Sequence, residues 1–292
     1  MKPYLARLLL LLTAMLWGFS FVVMKDASDV LPVFLLLALR FSVAFVVLAL
    51  VFFKKLQTVT RTDLLFSAAV ALSIFLAYVF QTYGLTDTTP GKNAFLTAVY
   101  CVLVPFLSWI TDRKRPALRN VLAAVLCFVG IALLSFDGNL SLRLGDGLTL
   151  VGGFFYAVQI VLLARVCRKC DPCLVTVLQF GFSAVFCWLG VAFTGESFPA
   201  FSAPLAGQVL FLALFATAAA FLMQNIGQKY TSSAAAALLL SLESVFGVFF
   251  SVLLGYETPT PRLYAGFAVI FLSVLLNEAG DRLFRKKGSQ AP

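Results

Sequence analysis

The chain contains no histidine, and only 12% of its 292 residues are charged. Without histidine it lacks the commonest general acid and base and a leading metal ligand. It also has no His-Glu zinc pattern, no paired carboxylates within one segment and no nucleophile elbow, so the usual layouts of hydrolytic and metal-dependent catalysis are missing. Long polar connections are missing too, which leaves no room for a soluble domain between the apolar runs. The net charge of +9 is not a nucleic-acid signature, because the positive residues are spread through short connections rather than gathered on one surface.

What is present is apolar, with hydrophobic residues making up 61% of the sequence. About 20 apolar residues span a bilayer as a helix. Ten such runs lie near 5–24, 32–53, 63–83, 91–110, 118–135, 146–164, 174–193, 205–224, 232–254 and 261–278, predicting an all-α membrane protein with ten transmembrane helices. The first run has a basic flank, Lys2 and Arg7, like a signal peptide. Its apolar stretch is too long for one and continues without a small-residue cleavage site, so it reads as the first span. On one side of the membrane fall Lys2, Arg7, Lys54, Lys55, Arg61, Arg113, Lys114, Arg115, Arg119, Arg165, Arg168, Lys169, Lys229, Arg282, Arg285, Lys286 and Lys287. On the other fall only Lys25, Lys92, Arg143 and Arg262. The positive-inside rule then puts both termini in the cytoplasm and the protein in the cell inner membrane.

Three of the six cysteines, Cys167, Cys170 and Cys173, form a C-x2-C-x2-C cluster in VCRKCDPC. A metal site would need a fourth ligand that this connection does not supply, so free thiols in a reducing compartment are expected, with no metal and no cofactor. The basic tail with Arg285, Lys286 and Lys287 serves as a topology signal or touches anionic lipid.

Polar residues inside the apolar runs mark functional candidates, since an ionisable group at membrane depth costs about 2.5–3.5 kcal/mol on insertion scales. Glu243 is the carboxylate in the middle of the ninth run. Arg40, in the second, lies about 12 Å below the outer end of its helix at 1.5 Å per residue, a height close to that of Glu243. The two either pair, or Arg40 snorkels to the interface and Glu243 makes a structural contact between helices. Thr13, Trp17, Ser20 and Met24 share one face of the first helix, and Tyr78 and Gln81 share one of the third. Asn93, Thr97 and Tyr100 form a polar stripe on the fourth, which faces either a cavity or neighbouring helices. Pro105 suggests a kink in the same helix. Tyr156 with Gln159, and Thr217 with Gln224, complete a set at comparable depth.

The chain also reads as a duplication, with halves 1–140 and 141–292 joined by an outside connection from Phe136 to Asp146. AMLWGFSFVV lies over GFFYAVQIVL with Trp17 beside Tyr156, and the same offset of about 139 residues carries Arg40-Phe41 onto Gln179-Phe180. An offset of about 143 or 144 aligns the later spans and sets Glu243 against Val99, the drift being assigned to loops. Five spans per half invert the second copy relative to the first, an architecture suited to alternating access.

LLLTAMLWGFSFVVMK, TTPGKNAFLTAVYCVLVPFLSW and YTSSAAAALLLSLESVFGVFFSVLLGYETPT resemble the drug/metabolite transporter superfamily, specifically its ten-helix EamA-type branch, over essentially the whole chain. Family members commonly carry proline after the glutamate; Ser244 stands there, which predicts a straighter ninth helix. The resemblance implies a secondary transporter, often an exporter, moving amino acids, other small metabolites or drug-like compounds. On that reading Trp17, Arg40, Tyr78, Gln81, Asn93, Thr97, Tyr100, Tyr156, Gln159, Gln224 and Glu243 bind a small-molecule substrate within the lipid bilayer, and Glu243 is a candidate carrier of a coupling proton. One deep cation is too few for a phosphorylated cargo, and the aromatic walls suit an amino acid or an amphipathic aromatic metabolite. The competing classes are a membrane-embedded enzyme acting on a lipid-linked substrate and a non-transporting receptor.

Overall fold

The computed structural model describes residues 2–113, 115–135, 143–256, 258, 260–262, 264–266, 268–270, 272–273 and 276. Among these the secondary structure is entirely helical. Eight helices are long and apolar enough to cross a membrane: α1 Pro3–Ser28, α2 Val33–Val51, α3 Arg61–Thr86, α4 Pro90–Asp112, α6 Leu144–Lys169, α7 Pro172–Thr194, α8 Ala203–Lys229 and α9 Ser233–Leu253. Between α4 and α6, α5 spans Leu118–Ser135 and carries a shorter apolar stretch, Asn120–Gly130. Of the tenth predicted run, the described residues between 261 and 276 are helical. Lys114, most of the connection from Phe136 to Asp146, and the tail with Arg282, Arg285, Lys286 and Lys287 lie outside the described residues.

Helix starts follow local chemistry. Thr60 and Asp63 form a capping box at α3, and Thr89, Ser202 and Ser232 cap α4, α8 and α9 by accepting from a backbone N–H in the first turn. The start of α2, which lacks a side-chain cap of its own, is satisfied from a distance: Glu196 accepts from Phe34 N at 3.3 Å and Leu35 N at 2.7 Å.

Three helices depart from regular α geometry. α4 is interrupted at Ala98–Val99, between Pro90–Thr97 and Tyr100–Asp112, and α9 at Ser241, between Ser233–Leu240 and Leu242–Leu253. The expected straight ninth helix is therefore corrected: no proline is needed, because Ser241 and Ser244 hydroxyls donate to the carbonyls of Leu238 and Ser241 and tighten the chain locally. The break at Ala98–Val99 lies nearly two turns before Pro105, which stands inside the helical segment Tyr100–Asp112. In α8, residues Leu214–Ala219 form a π-helical segment.

From the cap at Thr60, α3 runs 26 residues to Thr86, and from the cap at Ser202, α8 runs 27 to Lys229, with the π-helical segment inside the longer of the two. Tyr100 lies 11 residues after the cap Thr89, and Glu243 lies 11 after the cap Ser232.

Packing is tight where glycine lets backbones meet, the usual means of helix association in a bilayer. A Cβ on Gly84 of α3 would collide with Thr149 Oγ1 and lie 2.6 Å from the Gly145 carbonyl of α6. On Gly227 of α8 it would lie 2.9 Å from the Ala6 carbonyl and 3.0 Å from Leu10 of α1. In the centre Phe41 and Phe180 stack at 5.6 Å, each with an edge-on neighbour, Tyr78 at 5.4 Å and Phe221 at 5.2 Å respectively.

Candidate functional site

Between these helices lies a narrow cavity. Nine residues singled out from the sequence line it: Trp17, Arg40, Tyr78, Gln81, Tyr100, Tyr156, Gln159, Gln224 and Glu243. Ser20, Phe21, Met24, Thr82, Leu85 and Ile160 complete the wall. Ser20 and Met24 share the face of Trp17 that the helical spacing marked. The other four are apolar or weakly polar residues whose sequence pattern does not separate a cavity wall from a helix contact.

Asn93 and Thr97, expected in the wall, stand behind it. Thr97 Oγ1 accepts from Gln81 Nε2 at 3.0 Å, while Asn93 Nδ2 donates to the Gln81 carbonyl at 3.2 Å and to Thr149 Oγ1 at 2.8 Å. Their stripe faces α3 and α6 and fixes Gln81, whose Oε1 accepts from Tyr156 OH at 2.9 Å. Thr217 is likewise outside the wall and holds Arg40.

Arg40 is almost wholly buried and neither pairs with Glu243 nor snorkels. Its Nε donates to Thr217 Oγ1, its Nη2 to Tyr78 OH at 2.9 Å and the Ala216 carbonyl at 3.2 Å, and its Nη1 approaches Met24 Sδ at 3.6 Å. The guanidinium carbon also lies 4.5 Å from the centroid of the Tyr78 ring, within cation–π range. The π-bulge makes this possible, because disrupting the i→i−4 ladder turns backbone acceptors outward. Ala216 C=O also accepts from Trp17 Nε1 at 3.0 Å, and Thr217 Oγ1 donates to Leu212 C=O five residues back. Of the five guanidinium N–H groups, one on Nη1 has no partner among the described residues.

Glu243 begins the second segment of α9, where Tyr100 OH donates to its Oε1 at 2.9 Å. Its Oε2 makes no hydrogen bond among the described residues. Between Arg40 and Glu243 stand aromatic rings: Tyr78 and Tyr156 are 5.5 Å apart, and Tyr156 and Tyr100 6.5 Å. The arrangement offers a cation with a free donor on one wall and a carboxylate with a free acceptor on another, across an aromatic interior. The floor is an amide cluster in which Gln224 Nε2 donates to Gln159 Oε1 at 3.3 Å and Gln228 Oε1 at 3.0 Å.

The cavity reaches Met24 and Leu85, near the C-terminal ends of α1 and α3. At the opposite end the helices close through Ala6, Leu10 and Gly227. The cysteine cluster takes no part: Cys167, Cys170 and Cys173 lie at the junction of α6 and α7, and among the described residues no group of three potential metal ligands comes together.

Comparison with known proteins agrees with a membrane transporter. A relative from Archaeoglobus fulgidus named "Uncharacterized transporter" is 34% identical over 279 residues, covering 94% of this chain and 86% of its own. The "Uncharacterized transporter YvbV" of Bacillus subtilis is 26% identical, covering 92% and 90%. A crystal structure titled only "Crystal structure of protein" shares the fold, with a TM-score of 0.78 at 18% identity over 96% of this chain and 98% of that one. The profile of the EamA-like transporter family matches residues 5–136 and again 143–278, so this multi-pass membrane protein belongs to the EamA-like transporter family.

Proposed function

We propose that the chain is a secondary transporter that moves a small amphipathic metabolite, an amino acid or an aromatic compound, out of the cell by alternating access. The observation that carries this reading is the cavity itself, with Arg40 and Glu243 unpaired to each other on separate walls and tyrosines between them. A substrate bearing an acid, a base and an apolar body matches the free Nη1 donor, the free Oε2 acceptor and the rings. Binding such groups without water requires preplaced partners, because a desolvated charge left unmatched is costly. Asn93 and Thr97 belong to the site as positioning residues acting through Gln81.

The halves 1–140 and 141–292 act as inverted repeats of five helices each. The family profile matches each half separately, and counterpart residues meet in pairs: Phe41 with Phe180, Tyr78 with Phe221 at 6.1 Å, and Tyr100 with Glu243. The close approach of Gly84 to Gly145 and Thr149 has its counterpart in Gly227 against Ala6 and Leu10. With the Lys- and Arg-rich connections cytoplasmic, as are both termini, a cavity that reaches Met24 and Leu85 faces outward. Glu243 is placed to carry a coupling proton.

Uptake and efflux of tritiated phenylalanine, tryptophan and leucine in proteoliposomes, with and without a pH gradient, test the reading. Glu243→Gln is expected to abolish the dependence on the gradient, and Arg40→Gln to weaken substrate binding by about 2–5 kcal/mol, the cost of truncating one side of a buried charged contact. Flux that ignores the gradient and survives Glu243→Gln would sink the coupling role. A protein that binds these compounds but never moves them would be a receptor.

A further inference from the structure

Below the cavity, one buried side chain is conspicuously unmatched. Gln179 of α7 is fully buried, and it is the only residue among those described with two buried side-chain polar atoms, Nε2 and Oε1, that lack any hydrogen-bond partner. Its face of α7 is polar on both sides: Thr176 accepts from Asn225 Nδ2 at 2.8 Å, and Ser183 donates to the Ala71 carbonyl at 3.3 Å. Asn225 Oδ1 and Ser67 Oγ, one turn before Ala71 on α3, are also unpartnered. Next to Asn225, Gln224 reaches the cavity floor with its own Oε1 unpartnered. Uncharged amides and hydroxyls thus continue from the cavity floor toward the end of the bundle that carries Lys54 and Lys55. A contact that served packing alone would be better filled by an apolar side chain, since buried polar groups without partners oppose folding.

Gln179 also occupies the position in the second half that Arg40 occupies in the first. Each is the eighth residue of its helix, and each precedes a phenylalanine of the central stack. Arg40 stands in the cavity wall with its donors largely engaged, whereas Gln179 stands in a closed contact with none engaged.

We propose that Gln179 is the substrate-contacting counterpart of Arg40 in the opposite-facing state, where it lines the path with Asn225 and Gln224 and meets an uncharged hydrogen-bonding group of the substrate. This rests on the transport reading above. In that state the path opens at the Lys- and Arg-rich end, and the unmatched amide atoms gain substrate or solvent as partners. The present state holds them closed.

The test is modification of Gln179→Cys and Asn225→Cys in vesicles of known orientation by a membrane-impermeant maleimide, read site by site by mass spectrometry so that the native cysteines stay in place. Thr58→Cys, in the exposed connection at the same end, is the accessible control. Reaction is expected only from that end, about ten- to a thousandfold slower than the control, matching a minor state populated at about 0.1–10%. Should Gln179→Cys not fold, Asn225→Cys carries the measurement. Absence of reaction at both positions while the control reacts, or equal reaction from both ends, overturns the proposal. Gln179→Leu, which removes the unmatched atoms, is expected to raise the Tm of the purified protein and slow flux of the proteoliposome substrate about tenfold by disfavouring the open form. Unchanged flux, or slower flux with a lower Tm, overturns it too. Reactivity without flux of any compound sinks the transport reading and leaves the path standing; flux without reactivity sinks this inference alone.

Discussion

Arg40 and Glu243 each meet the cost of burial locally, the arginine on Thr217, Tyr78 and the Ala216 carbonyl, the glutamate on Tyr100. Residues without shared partners contribute additively, within about 0.5 kcal/mol. A double-mutant cycle on Arg40→Gln and Glu243→Gln, read by thermal unfolding, is therefore expected to close within that margin. The cycle on Tyr100→Phe and Glu243→Gln should show coupling of about 0.5–3 kcal/mol. Strong coupling in the first cycle would mean the two charges meet. At Cys170, burial and then the neighbouring Asp63 carboxylate push the thiol up to about 11. Since the thiolate is the reactive form, Cys170 should resist alkylation at neutral pH and react only as the pH approaches that value. At this scale the sequence was most legible where chemistry contrasts with the bilayer: Trp17, Arg40, Tyr78 and Glu243 stand out among apolar neighbours. Thr82, Leu85 and Ile160 do not, because an apolar cavity wall and a lipid-facing surface favour the same side chains. Asn93 and Thr97 were legible as a stripe but not as lying behind Gln81, since spacing gives the face of a helix and not its distance from a cavity.

Among the helices, the bulge in α8 and the breaks in α4 and α9 set the site. Deleting Ala218 should return α8 to the 26 residues of α3 while the caps stay in place. Circular dichroism is expected to show unchanged helicity, and a rise in Tm on adding phenylalanine, tryptophan or leucine, expected of the intact protein, should vanish because Ala216 and Thr217 no longer meet Arg40. Retention of that shift would show that the bulge is dispensable. The two glycine contacts give a graded prediction: Gly84→Ala, whose new methyl would collide with Thr149 and the Gly145 carbonyl, should cost about 1–3 kcal/mol by overpacking, and Gly227→Ala less. Their order in thermal unfolding checks this. None of these irregularities has a sharp sequence signal. The break in α9 uses two serines in place of a proline, and the π-bulge is visible only as a one-residue mismatch between α3 and α8 once the caps at both ends are located.

For the whole molecule, hydropathy and charge asymmetry made the multi-pass helical architecture legible, because a bilayer demands long apolar helices whatever their tertiary contacts. At the end rich in Lys and Arg, Lys55 and Asp171 tie the connection after α2 to the start of α7 at 2.7 Å. Burial would raise the Asp171 pKa, but the Lys55 ammonium and the first backbone N–H groups of α7 outweigh it and hold the carboxyl below its usual value. The resulting stabilisation is present above the ordinary aspartate range and fades as pH falls through the depressed value. Both side chains are 44% exposed, so screening limits it to less than about 1 kcal/mol. Asp171→Asn, which keeps the cap, should lower Tm slightly at pH 7 and progressively less as the pH falls below the ordinary aspartate range; an effect that does not change with pH would assign the role to packing.

The Tyr100–Glu243 hydrogen bond bears on the protein's ancestry. On the proposed two-fold relation these positions are copies of one site, so an ancestral dimer of identical halves would have faced phenol with phenol or acid with acid there. Two carboxylates that close would share a proton or push apart. On that relation, a donor opposite an acceptor becomes available only to a chain that carries both halves and lets them diverge, and the proposed site owes its chemical asymmetry to that divergence.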